Sequence, residues 1–563
     1  MNTRLLLALV LTALVIVATP LLFPNTNRER SMSTTSADTI HVVQLKTDSG
    51  AGAAAVNSVT MVPKVMPSTS SRTDSGPVAV NIGVEIRRVP FAHAIYTFRS
   101  PGAGLSSVEL PQYISRRPGA GKKPSELVPP HNLLTRYRLA LGRDTVSLDT
   151  IPLQLEIAES SSATPIVTYS GRVVEHDIRF TYTFGRDTSD AYLIHAKLIV
   201  AGAPAGSALI IQLPRSLESN EPDTLDDQGH LAVSYRTSRG EINSSNFSSL
   251  KPGQVQLDQG PINWIATRNK YFLVVYRAVK RPFAAVTLGG IAHEDKVAPN
   301  AYAAATLPLE PDGTTTFDIY AGPQQFERLQ RLGGDLDQVN PYAGWLHGVV
   351  QPFATVVMRA LLWMKRTTQL NYGWVLVLFG IIVRLVLWPL NQGAMRTSMK
   401  MQRLQPQLQA LQKKHGDDPK RQQEAIMKVY KEHGMSPLSP LMGCLPMLLP
   451  MPVLFALYYV FQNTIEFRGV PFLWLPDISL KDPYFITPLL MGVSMFIMSW
   501  IGMRNSPPNP QAKMMSYMMP VMLTVLFINF ASGLNLYYAV QNIAALPQQW
   551  LLARERGKES VRT

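Results

Sequence analysis

Apolar runs dominate the second half of this chain, and period-two alternation fills much of the first. Residues 371–390 (NYGWVLVLFGIIVRLVLWPL) carry a single charge, Arg384. Residues 434–465 form a run of 32 without a charge, 483–503 a run of 21 and 514–553 a run of 40. A helix needs about 20 apolar residues to cross a bilayer, so the last run predicts two spans. Ala531-Ser532-Gly533 near its middle supplies the turn. The amino terminus adds an apolar stretch, Leu5 to Val17 behind Arg4, without a clean small-x-small cleavage site. It predicts an uncleaved signal anchor over 1–24. The spans expected are therefore six: the anchor, 371–390, 436–462, 483–503, 514–531 and 534–553.

Before them the pattern differs. Residues 25–77 are rich in Ser, Thr, Ala, Gly and Pro without periodicity, which predicts a flexible tether. Over 78–324 alternating β-branched and aromatic residues lie between turn signals, as in 78–89, 172–184, 191–200, 209–213 and 271–279. That predicts a large all-β sandwich. Residues 341–366 read as an amphipathic helix lying at the membrane interface. Trp345, Val349, Phe353, Val356 and Leu361 make its apolar side, and Arg359, Lys365 and Arg366 its charges. The fold class expected is a polytopic α-helical membrane protein with a large periplasmic β-sandwich.

Charge orients this arrangement. The net charge is +14, yet residues 24–345 hold 31 basic and 30 acidic residues, so the excess lies at the apolar runs and their flanks. That suits phospholipid and topology effects, not nucleic-acid binding. Segment 391–434 has nine Lys/Arg against four acids, 504–513 two against none, and the tail 554–563 four against two. If every run spans once, these segments share one side, which the positive-inside rule makes the cytoplasm. Both termini are then cytoplasmic and the β domain periplasmic.

Arg384 is the strongest candidate for function. A guanidinium inside a span costs roughly 2.5–3.5 kcal/mol on insertion scales. It either snorkels to phosphates or faces water, a partner or a substrate. Asn535, Tyr538 and Asn542 share one face of the last span, where they either join helices or line a wet groove opposite Arg384. Five prolines crowd 436–452, and methionines crowd the later spans, as in Met491, Met495, Met518 and Met522. Segment 391–434 predicts a helical hairpin. Met401, Leu404, Leu408 and Leu411 form its seam, with a turn at Gly416-Asp417-Asp418-Pro419. Its basic residues Arg396, Lys400, Arg403, Lys413, Lys414, Lys420, Arg421, Lys428 and Lys431 suit a docking surface as well as a solvated loop.

Catalytic signatures are missing. The single cysteine, Cys444, excludes an intrachain disulfide or CxxC pair, and there is no HExxH or nucleophile elbow. Gly119-Ala120-Gly121-Lys122-Lys123 departs from a phosphate loop at Arg116 and Lys123. No acidic residue lies in the spans after the first, which disfavours a proton-coupled transporter. The chain is expected to be neither an enzyme nor a cofactor protein. A channel or transporter with a sensory β domain is the alternative.

The arginine run, Leu404-Gln405-Pro406-Gln407-Leu408, Gly443-Cys444-Leu445-Pro446, Pro452-Val453-Leu454-Phe455-Ala456 and Ser532-Gly533-Leu534-Asn535-Leu536-Tyr537-Tyr538 together resemble the YidC membrane-protein insertase family in its long Gram-negative form. Asn263-Trp264-Ile265-Ala266 and Tyr320-Ala321-Gly322-Pro323 extend the likeness into the β domain. The resemblance implies a five-helix insertase core with a hydrophilic groove containing Arg384 and Tyr538, open to cytoplasm and lipid. Where relatives often carry a hydroxyl one turn before the arginine, this chain has Gly380. It further implies inner-membrane localisation and nascent inner-membrane proteins as substrates. The implied partners are the Sec translocon with its accessory subunits, ribosome or targeting factors at the hairpin, and phospholipids.

Overall fold

The computed structural model describes residues 84–130, 132–159, 164–185, 191–291, 299–340, 347–414, 419–432, 451–503 and 510–560. The amino-terminal anchor and tether, the 416–418 turn, Cys444 and the prolines before Met451 lie outside these residues. Among the described residues, the β domain runs from Glu85 to Pro323, and its strands pair antiparallel. One sheet has four strands. The other has fourteen, with its path running from Asp144–Ser147 through Arg136–Leu141, Ala208–Gln212 and Ala301–Pro308 to Gln154–Glu159 at the far edge. Alternation buries one face of each sheet, and the faces meet: Phe98 of the small sheet lies 5.3 Å from Tyr182 of the large one, centroid to centroid. Tyr96, Tyr137 and Phe180 are fully buried there, and Trp264 is fully buried on the other face of the large sheet.

The stretch 172–184, read from its alternation as one strand, is a hairpin. Pro165–Val173 pairs with His176–Phe184, and Val173 opposes His176 across a two-residue turn. Val174 takes φ 57° there. A β-branched residue in the left-handed region gives no turn signal, which is why the sequence hides the corner.

Segment 326–340 is stapled to the large sheet by side chains reaching its backbone. Arg277 Nη1 donates to the Leu332 carbonyl at 2.6 Å, Trp264 Nε1 to Gly334 at 2.6 Å, and Ser234 Oγ to Val339 at 3.0 Å. The chain then becomes helical. After α1 (Thr224–Gly229) and α2 (Phe326–Leu332) come α3 (His347–Thr368), α4 (Tyr372–Lys414), α5 (Pro419–Glu432), α6 (Met451–Asn463), α7 (Ile486–Met503), α8 (Pro510–Phe527) and α9 (Ser532–Ser560).

Helix α3 buries Ala354, Val357, Met358 and Leu361, whereas Phe353 and Val356, assigned to the same apolar side from sequence, point outward. Apolar residues surround much of this helix, so periodicity alone misplaces its packed stripe. Helix α4 joins the apolar run to the first arm of the basic hairpin without a break. Its 43 residues make it about 64 Å long. Pro419 opens α5, and Leu404 and Tyr430 are buried on the two arms. Among the described residues, two helical stretches, Tyr372–Pro389 and Ile486–Met503, are long and apolar enough to cross a membrane, and each is only 28% buried. Core helices of a soluble protein hide their apolar residues. Here Leu385, Val386 and Val493 face outward, a surface suited to lipid.

Candidate functional site around Arg384

Helix α9 has two polar faces, and they do different things. Asn535 is fully buried and donates from Nδ2 to the Phe527 carbonyl at the end of α8, at 3.0 Å. Asn542 donates to the Met491 carbonyl at 3.4 Å and to Ser494 Oγ at 3.3 Å, both on α7. These asparagines join helices, and neither meets Arg384. Tyr538 stacks its edge on Phe527, with centroids 5.5 Å apart, and also lies on that side.

The second face is Tyr537, Gln541 and Gln548, repeating at four and seven along the helix. It meets α4. Gln541 Nε2 donates to the Gly380 carbonyl at 2.9 Å and to Tyr537 Oη at 3.0 Å. Gln548 receives Arg384 Nη2 on its Oε1 at 2.6 Å, while its Nε2 donates to the Trp388 carbonyl at 3.2 Å. Gln548 is therefore the neutral partner that orients the guanidinium. Arg384 Nε is buried with no hydrogen-bond partner among the described residues. Among those residues Arg384 also has no carboxylate partner. The glutamines were legible only as a seven-residue repeat, easily passed over beside the asparagines.

Gly380 is a contact point between helices. A Cβ built there stands 3.0 Å from Val540 Cγ1, so a larger residue requires Val540 to give way slightly. Of the hairpin residues, Arg421 and Lys428 are exposed on α5. The side chains of Arg396, Lys400, Arg403, Lys413, Lys414, Lys420 and Lys431 lie outside the described residues.

At the other end of the helices, the loop 464–482 sits between them and the β domain. Arg468 is the centre of this joint. Its Nε donates to Glu221 at 2.7 Å, its Nη2 to the carbonyls of Ile114 and Asn220 at 3.0 Å each, and its guanidinium lies over Phe272. Both side chains of the Arg468–Glu221 pair are almost fully buried. Arg116 pairs with Asp477, and Glu466 receives the Phe326 N–H at 3.2 Å. The loop also holds the start of α9, because Ser532 and Gly533 donate their N–H groups to Leu480 and Ile478 at 2.7 and 2.9 Å. Burial pushes the Glu466 carboxyl up to about 7. Asp482 behaves oppositely: burial raises it, but donation by the Thr487 and Tyr484 N–H groups and by Trp474 Nε1 outweighs that and holds it below the usual range.

Residues 363–559 match the 60Kd inner membrane protein family, and residues 95–356 match the YidC periplasmic domain family. The membrane protein insertase YidC of Chlorobaculum parvum is 30% identical over 480 residues, covering 80% of this chain and 79% of its own. That of Chlorobaculum tepidum is 28% identical over 521 residues, covering 86% and 85%. That of Anaeromyxobacter dehalogenans is 30% identical over 413 residues, covering 72% and 71%. A crystal structure described as an active YidC insertase aligns over 83% of this chain and 92% of its own at 19% identity, with a TM-score of 0.33. The chain, with its β-sandwich followed by a helical region, belongs to the YidC membrane protein insertase family.

Proposed function

We propose that this chain inserts and helps to fold inner-membrane proteins, crossing the membrane six times with both termini in the cytoplasm and the β domain in the periplasm. The observation that carries this is the environment of Arg384. It is a cation on an apolar helix with no carboxylate partner among the described residues, oriented by Gln548 and bordered by outward-facing Ile381, Ile382, Leu385 and Val386. A hydrophilic stretch of substrate passing beside it exchanges part of its lost hydration for contact with the guanidinium and the glutamines, so the polar path through hydrocarbon is shortened. Partition of the substrate's own apolar helix drives the step, and no nucleotide is consumed. The basic hairpin is the docking surface for ribosome or targeting factors, and the chain works alone or beside the Sec translocon and its accessory subunits. Tyr538, Asn535 and Asn542 contribute by fixing α9 against α7 and α8, which sets the position of Gln548.

Photo-cross-linking during synthesis of a small single-span substrate tests this. A photoreactive residue replacing Leu385, which faces outward beside Arg384, should capture the nascent chain, whereas one replacing Val174 at the hairpin tip of the β domain should not. Equal capture from both positions would remove the assignment.

A further inference from the structure

The sheet face opposite the β-domain core carries a cluster of cations that the insertase role does not use. Register places Arg136 opposite Gln212, and Gln212 opposite Ala304. Alternation then puts Arg136, Arg138, Gln212 and Tyr302 on one face, with Tyr137, Leu139, Ile211 and Ala303 in the core behind them. On that face lies a cavity of about 50 Å³ with Asn132, Arg136, Gln212, Arg215 and Tyr302 among its walls. Gln212 Nε2 donates to Tyr302 Oη at 3.4 Å, linking two of the polar walls.

The charges around it do not balance. Arg136 feels the repulsion of Arg215 and Arg99, and the carboxylate acting on it is Asp149, which Arg99 and Arg138 share. The cavity walls carry two arginines, Arg136 and Arg215, and the aspartate acting on Arg136 is Asp149, so positive charge is in excess among the described residues there. Arg99, Arg136, Arg138 and Arg215 make no ion pair among the described residues, and Arg99 Nε is buried without a partner. Elsewhere in the same domain arginines find carboxylates, as Arg277 finds Asp318 and Arg117 finds Glu218. Among the described residues, Arg136 and Arg215 have no such carboxylate partner.

We infer that this pocket binds a phosphate group presented on the β-domain side of the membrane. Guanidinium forks match oxyanions, and the amide and phenol add neutral partners. The excess charge favours a multiply charged phosphate over a single carboxylate. The cavity has room for only a few waters, so one phosphate group enters while the rest of the ligand stays outside. The group belongs either to a soluble phosphate compound or to a lipid headgroup.

The test is thermal unfolding of the full chain in a neutral detergent, titrated with inorganic phosphate and, separately, with sodium chloride at matched ionic strength. Phosphate should raise the midpoint in a saturating manner and chloride should not. Arg136→Gln with Arg215→Gln should abolish the rise. Arg215→Gln alone, at an exposed position where folding is not at stake, should weaken apparent phosphate affinity about tenfold or more. An equal rise in chloride, or an unchanged phosphate response in Arg215→Gln, would overturn the proposal. Nanodiscs of phosphatidylcholine with and without phosphatidic acid separate the two sources. A further rise with phosphatidic acid that Arg215→Gln removes assigns the headgroup, and a response to inorganic phosphate alone assigns a soluble ligand.

Discussion

Arg384 is tolerable in its helix because Gln548 meets it with an oxygen and returns its own N–H to the Trp388 carbonyl. A neutral partner orients the guanidinium without cancelling its charge, whereas a carboxylate would neutralise the site. Gln548→Ala should therefore lower the insertion rate about tenfold, the scale of one hydrogen bond to a charged group, while leaving the chain folded. Gln548→Glu should lower it as much or more by pairing the charge. Initial rates of protease protection in proteoliposomes measure both. The contact at Gly380 supplies a packing prediction. Gly380→Ser should cost about 1–3 kcal/mol through the tight contact with Val540, and Val540→Ala in the same chain should recover much of it. Denaturant titration of the four chains of that cycle reads the coupling.

At the scale of elements, the joint formed by loop 464–482 ties the β domain to the start of α9. Arg468→Ala leaves Glu221 buried without its partner and should cost about 3–5 kcal/mol at that joint. Hydrogen exchange of Ser532 and Gly533, whose N–H groups bond the loop, should rise sharply, while exchange within Phe272–Ala278 stays slow. Glu466 adds a pH dependence. Its folded carboxyl titrates near 7 against an ordinary 4.5, so the folded chain holds a proton that the unfolded chain has released between those values. Stability from this group is therefore greatest below about 4.5 and falls as pH rises through 7. The unfolding midpoint should decline over that interval, and Glu466→Gln should flatten the decline. The hairpin corner carries strain of a different origin. Val174→Gly should stabilise the β domain by about 1 kcal/mol, seen as a higher midpoint, because the left-handed conformation costs a β-branched residue about that much.

Taken as a whole, the molecule was legible where one local signal settles one feature. Long uncharged runs located α7 and α8, Ala531-Ser532-Gly533 located the turn into α9, and alternation located strands such as Leu193–Val200. The corner at Val174 was hidden because a valine in the left-handed region carries no turn chemistry, and the packed stripe of α3 because apolar residues lie on more than one of its sides. Arg384 stood out as a lone charge, but its partner did not. Gln548 lies 164 residues away, and only the packing of α4 on α9 brings the two together. The same holds for Arg468 and Glu221, which are 247 residues apart in unremarkable loops. Spacing shows which residues share a face and cannot show which face meets which neighbour.

The central claim is that the charge of Arg384, oriented by Gln548, carries insertion. Its most direct test is insertion of a small single-span protein into liposomes containing only this purified chain, scored by protease protection, with Arg384→Glu in parallel. Protection well above empty liposomes that Arg384→Glu reduces, while the variant keeps its helix content, is the predicted result. Protection that is the same for both chains would contradict the account.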